Sequence, residues 1–549
     1  MKLSVILKAI VPQRVYGPGH QFETGSGTSE ILTDIQSLDT DILSIHYRAQ
    51  DVKPGGLFVA IPGQKSDGHD FIQTAMANGA AAIVTTRDPS EPVGAPVIVV
   101  ADARHSLAAL SHEFYGRPSE HLIIVGITGT NGKTTTAFLI ERILNRAGFA
   151  VGVIGTLNYR YRDLVFENPM TTPESPDLQR ILAEMLQAGI THVVMEASSH
   201  AIAQGRIDCC WMDVGIFTNL TQDHLDFHEN MDAYWNVKKS MFTRHLSESP
   251  KKNRASAVIN CNDPRGEELF NALRISRFCV GFSEENTIQT AMMKTHMDGA
   301  EGVISTPLGM FQFKTSLFGR HNVENILCAT GACVSLNIPL KLIREGIESV
   351  SFVPGRLQRV FNDRLRHVFV DYAHTPDALM NVLNTINEIA TGRIICVFGC
   401  GGDRDRDKRP LMGQIAARRA DFLVVTSDNP RSEDPGDIIS QIAVGIDAEN
   451  VSRFQTTDMP KELSGKGYVI EPDRKKAIHL AIRLSRNDDV ILIAGKGHET
   501  YQIVKKQKLP FDDREIAAFA LTSEIAPPSV HVWKKKSART KSEGDSLKS

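Results

Sequence analysis

Short apolar runs that stop abruptly at glycine, hydroxyl or carboxylate residues recur along this 549-residue chain, and segments of helical period separate them. Runs of four to six apolar residues bounded by turns read as buried strands, whereas apolar positions three and four apart read as helices. On this basis Leu57 to Ile61, Ala80 to Val84 and Val97 to Val100 are strands of a first, small domain. Ile123 to Thr128, His192 to Ser198 and Val214 to Leu220 are strands of a second, with helices over Thr135 to Arg146, Asp177 to Ala188, Tyr234 to Phe242 and Asn322 to Leu336. A third domain begins after Pro354, with strands Arg393 to Gly399, Phe422 to Ser427 and Val490 to Gly495. Strands alternating with helices predict parallel sheets. In such sheets ligands gather beyond the carboxyl ends of strands, so polar residues just after apolar runs are themselves candidate site residues.

Composition narrows the class. The chain is 42% hydrophobic and 23% charged with a formal net charge of −3, so it lacks the basic excess expected of a nucleic-acid partner. No apolar run approaches the ~18 residues of a membrane span, and Met1 to Gln13 has no small-residue cleavage site, so a cytoplasmic protein is expected. Eight cysteines without C-x-x-C spacing are expected to be reduced thiols. The last residues, 526–549, are rich in Lys and Arg and read as a disordered basic tail.

The strongest chemical signal is Gly129-Thr130-Asn131-Gly132-Lys133-Thr134-Thr135, set between a strand and a helix. Backbone N–H groups of such a loop cradle phosphates, Lys133 reaches the outer phosphates, and Thr134 can ligate Mg²⁺. The usual pattern has glycine where this chain has Ile127, so the loop is a variant. Glu196, at the end of a second strand and followed by Ser198-Ser199-His200, is placed either to hold the metal or to cap a helix. His224, between Asp223 and Asp226, is either structural or a metal ligand, and Lys238 and Lys239 read as surface lysines. In the third domain Asp403-Arg404-Asp405-Arg406, Asp428-Asn429-Pro430-Arg431 and Gly495-Lys496-Gly497-His498-Glu499 follow strands. Arginines with an acidic partner suit a zwitterion, since guanidinium grips carboxylate in two hydrogen bonds while Glu499 can receive an ammonium.

Taken in order, these motifs resemble the Mur ligases from about Leu43 to Ala518, together with Gly319-Arg320-His321-Asn322 and Pro354-Gly355-Arg356. The resemblance implies an α/β protein of three domains: a small N-terminal α/β domain that binds a UDP-linked substrate (1–115), a central P-loop ATPase-like domain with a mostly parallel sheet (116–350), and a C-terminal Rossmann-like domain that binds an amino acid (351–525). Asp428 to Arg431 is similar to the motif of members that add meso-diaminopimelate to UDP-N-acetylmuramoyl-L-alanyl-D-glutamate, with L-lysine-adding and folylpolyglutamate synthase-like members as alternatives. A nucleotide-binding regulator that joins no substrates is the alternative of another class.

The resemblance also implies residue roles. Gly129 to Thr135, Asn325, Arg356 and Asp371 would contact ATP. Thr171, Thr172, Ser198, Gln204 and Arg206 would hold the UDP-muramoyl dipeptide, and Arg404, Asp428, Asn429, Pro430, Arg431, Gly495 and Glu499 the diaminopimelate. Lys133, Glu196, His224 and Lys238 would be catalytic. Lys238 would carry CO₂ as a carbamate and join Thr134, Glu196 and His224 as a Mg²⁺ ligand. The family's Asp-Ser-Arg in the first domain is here His46-Tyr47-Arg48, so uridine contacts are expected to differ. The implied reaction passes through an acyl phosphate in a monomeric enzyme, with 351–356 as hinge for closure of the third domain.

Overall fold

The structure is a computed structural model that describes residues 1–17, 20–22, 40–63, 66–89, 91, 93–223, 227–290, 292–362, 366–457 and 465–523. His224, Asp226 and the basic tail therefore lie outside the described residues. The chain divides into two compact units, 1–294 with 299–351, and 295–298 with 352 onward. The first unit contains two sheets and the second unit one main sheet, so the architecture is an α/β fold of three domains.

Continuous apolar runs become strands buried on both faces, as parallel sheets require. In the N-terminal sheet Ser44–His46, Gly56–Val59, Ala80–Thr85 and Val97–Val99 are parallel neighbours in that order, and the antiparallel strands Arg14–Gly17 and then His20–Phe22 extend one edge. The central sheet has a parallel core in the order Val151–Ile154, His192–Glu196, Ile123–Thr128, Val214–Phe217, Ser256–Asn260 and Ser276–Gly281. Every residue of His192–Glu196, Val214–Phe217 and Ser256–Asn260 is buried. Antiparallel strands Tyr159–Tyr161 and Leu164–Phe166 extend one edge. Register decides the site: Glu196 lies opposite Ile127, and Phe217 opposite Thr128, so three adjacent strands end in step.

The main sheet of the second unit runs Gln358–Arg359, His367–Asp371, Val490–Ala494, Ile394–Phe398, Phe422–Val425, Gly467–Ile470 and Ser452–Phe454, parallel except at its first strand. A separate hairpin, Tyr501–Val504 with Gln507–Pro510, follows the Val490–Ala494 strand.

Two expectations need correction. The expected helix over Tyr234 to Phe242 is α-helical over Met231–Ser240 and continues as a wider π-turn over Met241–Leu246. Cys261 and Cys279, expected to be reduced, form a disulfide. The pairing of Ile259 with Cys279 on neighbouring strands brings the Cα atoms of Cys261 and Cys279 to 5.9 Å. The other six cysteines are free.

Candidate active site

The phosphate loop is shaped by two glycines with positive φ, Gly129 at +147° and Gly132 at +87°. A methyl group at Gly132 would stand 2.2 Å from Asn325 Oδ1, and one at Gly129 would stand 1.9 Å from Thr218 Oγ1. Only glycine fits either place. The following residues start the Lys133–Arg146 helix, whose first N–H groups face the loop. Asn131 N–H donates to Asn219 Oδ1 (2.9 Å), and Thr218 Oγ1 donates to Asn131 O (2.6 Å). Thr130 N–H donates to Asn219 O at 2.9 Å, so the end of the Val214–Phe217 strand braces the loop.

Glu196 is 2% exposed and accepts from Thr134 Oγ1 (3.1 Å), Thr156 N–H (3.0 Å) and Thr156 Oγ1 (2.9 Å). It caps no helix, because Ser198 does that for Ser199–Ala203, its Oγ accepting from Ala201 N–H. The capping alternative is thereby removed. The described partners of this buried carboxylate are all neutral hydroxyl and amide groups. Carboxylate plus hydroxyl oxygens are the donors a hard divalent cation takes, so Glu196, Thr134 and Thr156 fit Mg²⁺. Among the described residues no group of three or more His, Cys, Asp or Glu side chains forms a metal cage, and His224 falls outside them.

Lys238, which reads in the sequence as a surface lysine, is 1% exposed. Its Nζ donates to Gly129 O at 2.8 Å and lies 4.5 Å from the Tyr234 ring centre. Burial, reinforced by the nearby Lys133 ammonium and opposed by Asp223, pushes Lys238 well below the usual lysine range. Lys133 Nζ donates to Gly129 O (2.9 Å) and Thr130 O (2.8 Å), so one carbonyl receives both lysines.

Beside Glu196 the expected dipeptide residues gather. Thr171 Oγ1 is 3.1 Å from Thr156 Oγ1, and Thr172 Oγ1 donates to Glu196 O at 2.8 Å and accepts from Ser198 N–H at 3.1 Å. Arg206 donates to Gln204 Oε1 (2.5 Å) and Thr172 O (3.1 Å) and pairs with Glu174 at 2.9 Å. Burial lowers the Arg206 pKa from its usual value, with Glu174 opposing. In the N-terminal sheet His46 Nε2 lies 2.7 Å from Ser44 Oγ, while Tyr47 OH donates to Asp177 at 3.2 Å. Asn325 Oδ1 accepts from Thr136 Oγ1 at 3.3 Å, which holds it beside the loop.

In the second unit the polar cluster again sits at strand ends. Asp371 accepts from the N–H groups of Leu357 (2.6 Å) and Ala373 (2.8 Å), and burial pushes its carboxyl up despite Arg356 nearby. Arg356 stacks over Tyr372 at 4.9 Å. Arg431 adopts a left-handed conformation at φ +51° and donates from Nη1 to Gly402 O at 2.8 Å. The hairpin pins this turn: Arg431 N–H donates to Ile503 O (3.0 Å), and Lys505 N–H to Arg431 O (2.6 Å). Gln502 Nε2 donates to Asp428 O at 2.5 Å, two residues before Pro430. Arg404, exposed, donates to Asp403 O at 3.1 Å. A methyl on Gly401 would lie 2.8 Å from Arg431 Nη1 and 3.8 Å from Arg404 Cγ, so both arginines border the same glycine turn. Gly495, at φ +119°, leaves room for Asp428 Oδ2, which would stand 2.5 Å from an added methyl. Asn429 Nδ2 donates to Glu499 Oε2 at 2.9 Å.

Thr156 and the Tyr501–Pro510 hairpin are residues that sequence reasoning did not single out, and Lys496 stood in its motif without a role. Thr156 had a usable signal, since it follows Gly155 directly after the Val151–Ile154 strand. The hairpin had none in its apolar pattern, because its second strand is exposed throughout.

Family models match in three stretches: the Mur ligase family catalytic domain over 41–115, the Mur ligase middle domain over 127–333, and the Mur ligase glutamate ligase domain over 355–497. The chain is 47% identical over 485 residues to a UDP-N-acetylmuramoyl-L-alanyl-D-glutamate–2,6-diaminopimelate ligase of Geobacter metallireducens, covering 88% of this chain and 95% of that one. It is 42% identical to the Geobacillus thermodenitrificans ligase of that name over 482 residues, with 88% and 95% covered. A solved structure of a ligase of the same description superposes with a TM-score of 0.63 at 29% identity, covering 88% of this chain and 95% of the other. Matches of this extent, spanning all three sheets, establish that the chain belongs to the Mur ligase family.

Proposed function

We propose that this protein is an ATP-dependent acid–amino-acid ligase that adds meso-diaminopimelate to the D-glutamate carboxylate of UDP-N-acetylmuramoyl-L-alanyl-D-glutamate, a step of peptidoglycan precursor synthesis in the cytoplasm. One observation carries the choice of acceptor: Arg431 is pinned in a left-handed turn two residues after Asn429, which bonds Glu499, an arrangement suited to the carboxylate and ammonium of an amino acid. L-Lysine lacks the distal carboxylate that Arg431 would clamp.

The reaction follows from the residues. The substrate carboxylate attacks the γ-phosphorus of ATP, the bond to the bridging oxygen breaks, and ADP leaves an acyl phosphate behind. The neutral amine then adds to the acyl carbon, phosphate departs from the tetrahedral intermediate, and the nitrogen loses a proton. Two anions meet in the first step, so compensating their charge is the main task of the protein. Lys133 leaves the loop carbonyls for the terminal phosphates, while the loop N–H groups and helix N-terminus hold the others. Mg²⁺, held by Glu196 and Thr134 with Thr156 adjacent, would supply electrostatic compensation at the phosphates. Thr171, Thr172, Ser198, Gln204 and Arg206 orient the dipeptide, and Asn325, Arg356 and Asp371 contact the nucleotide. Lys238, buried and driven toward its neutral form, has the free amine that CO₂ requires, which supports its conversion to a carbamate that joins the metal ligands with His224.

The test is ADP release with the UDP-linked dipeptide and a panel of amino acids. Release should require ATP, Mg²⁺, the dipeptide and meso-diaminopimelate together. Equal release with L-lysine would sink the acceptor assignment, and release without any amino acid would sink the ligase reading.

A further inference from the structure

Lys496 is fully buried, with 0% of its side chain exposed, yet lies between two residues already expected to hold the amino acid. Its Nζ donates to Glu499 Oε2 at 2.9 Å and to Asn429 Oδ1 at 3.1 Å. Asn429 closes the ring by donating from Nδ2 to the same Glu499 oxygen at 2.9 Å. Ile503 N–H also donates to Asn429 Oδ1 at 2.9 Å, which fixes which end of the amide is the acceptor. The backbone is built to bury this lysine: Gly495 and Gly497 flank it at φ +119° and +54°. A methyl on Gly497 would meet Tyr372 Cβ at 2.7 Å, so a side chain at that position is excluded.

A buried ammonium is costly unless it is paired, and here the partner is the Glu499 carboxylate at 2.9 Å. The two donors converge on one oxygen of that carboxylate. The other, Oε1, has no hydrogen-bond partner among the described residues, and 16% of the side chain remains exposed. Such a carboxylate is held in one orientation with one oxygen free for an incoming ammonium.

We infer that Lys496 is a positioning residue for the diamino acid, holding Glu499 aimed through the Lys496–Asn429–Glu499 ring so that Glu499 Oε1 receives the substrate ammonium. Lys496 itself touches no substrate. The inference rests on the ligase reading above and refines its acceptor site.

The experiment measures steady-state ADP release by the full chain and by Lys496→Met, Glu499→Gln and the double variant, with meso-diaminopimelate and ATP varied in turn. Loss of one hydrogen bond to a charged group should raise KM for meso-diaminopimelate about 10–100-fold in Lys496→Met, with kcat and the KM for ATP nearly unchanged. The double variant should lose no more than the worse single variant, because both changes break one ring. Lys496→Gln, which keeps a donor without the charge, should show the same selective rise and serves where Lys496→Met does not fold. An unchanged KM for meso-diaminopimelate, a rise shared equally by ATP, or additive losses would each overturn the inference. Wild-type protein that releases no ADP with meso-diaminopimelate would instead overturn the ligase reading and this inference with it.

Discussion

The glycine loop and the polar cluster of the second unit, proposed to hold phosphate and amino acid, both lie beyond the ends of parallel strands but are built by opposite means. The loop uses contiguous backbone: seven residues, two glycines at positive φ, and a helix N-terminus. Its side chains mostly brace the backbone, as Asn219 and Thr218 do from the adjacent strand end. The cluster of the second unit is stitched from segments around 401–404, 428–431 and 495–505, and its charges are balanced against one another before any ligand arrives. The difference teaches that a backbone site tolerates neighbours of many kinds, whereas a side-chain site stands or falls with each member of its network.

The contrast is sharpest at Arg431. If Arg431 clamps the distal carboxylate as proposed, Arg431→Ala should lower kcat/KM for meso-diaminopimelate about 10²–10⁴-fold while leaving the KM for ATP unchanged. Unchanged kinetics in the ADP-release assay would collapse the distinction between the two sites. In the first unit, Lys238→Ala should lower kcat about 10²–10³-fold without unfolding the protein, with its loss centred on acyl phosphate formation. Intact mass of the wild type in bicarbonate buffer should exceed that in CO₂-depleted buffer by one CO₂, and the variant should show no such gain. Near-normal turnover by the variant would return Lys238 to an ordinary packing role.

A smaller effect is expected at Thr156, whose hydroxyl is one of three described donors to Glu196. Thr156→Val should reduce kcat about 10-fold and leave the KM for meso-diaminopimelate as it was. A loss confined to that KM would show the two sites are not separable. The smallest effect concerns pH. Hydrogen bonds from the Arg409 guanidinium hold Glu433 down to about 2, below its usual 4.5. A depressed carboxyl pKa contributes stability that is present above about 4.5 and lost as pH falls toward about 2. Urea midpoints of the wild type should therefore decline across that window more steeply than those of Glu433→Gln. Parallel pH curves would deny Glu433 this role.

How much of this could be read from the chain alone follows the same division. The loop and its strands were legible because the strand–glycine–helix order is local, and the fold class was legible because alternating apolar runs dictate parallel sheets. Strand ends were drawn slightly too long, since apolar or hydroxyl residues continue past the last ladder bond: His192 to Ser198 is a strand only over His192–Glu196. The role of Glu196 stayed open in the sequence because a capping carboxylate and a buried one look alike there. Register with Ile127 and burial separate them. Lys238 defeated pattern reading because a helical lysine is normally solvated, and only the packing of its helix reveals that it points inward. Lys496 stood in a recognised motif without a role, as its partner Asn429 lies 67 residues away in the chain.

The left-handed backbone at Arg431 separates two things that mutagenesis usually confounds. Glycine adopts that conformation at no steric cost, whereas alanine is strained there by roughly 1–2 kcal/mol. Arg431→Gly would delete the guanidinium and relax the turn at once, leaving the hairpin bonds through the backbone of residue 431 available. Position 431 is thus a natural entry point for retargeting the enzyme to other amine donors: a library built on the glycine variant begins from a scaffold unburdened by the conformation it must keep.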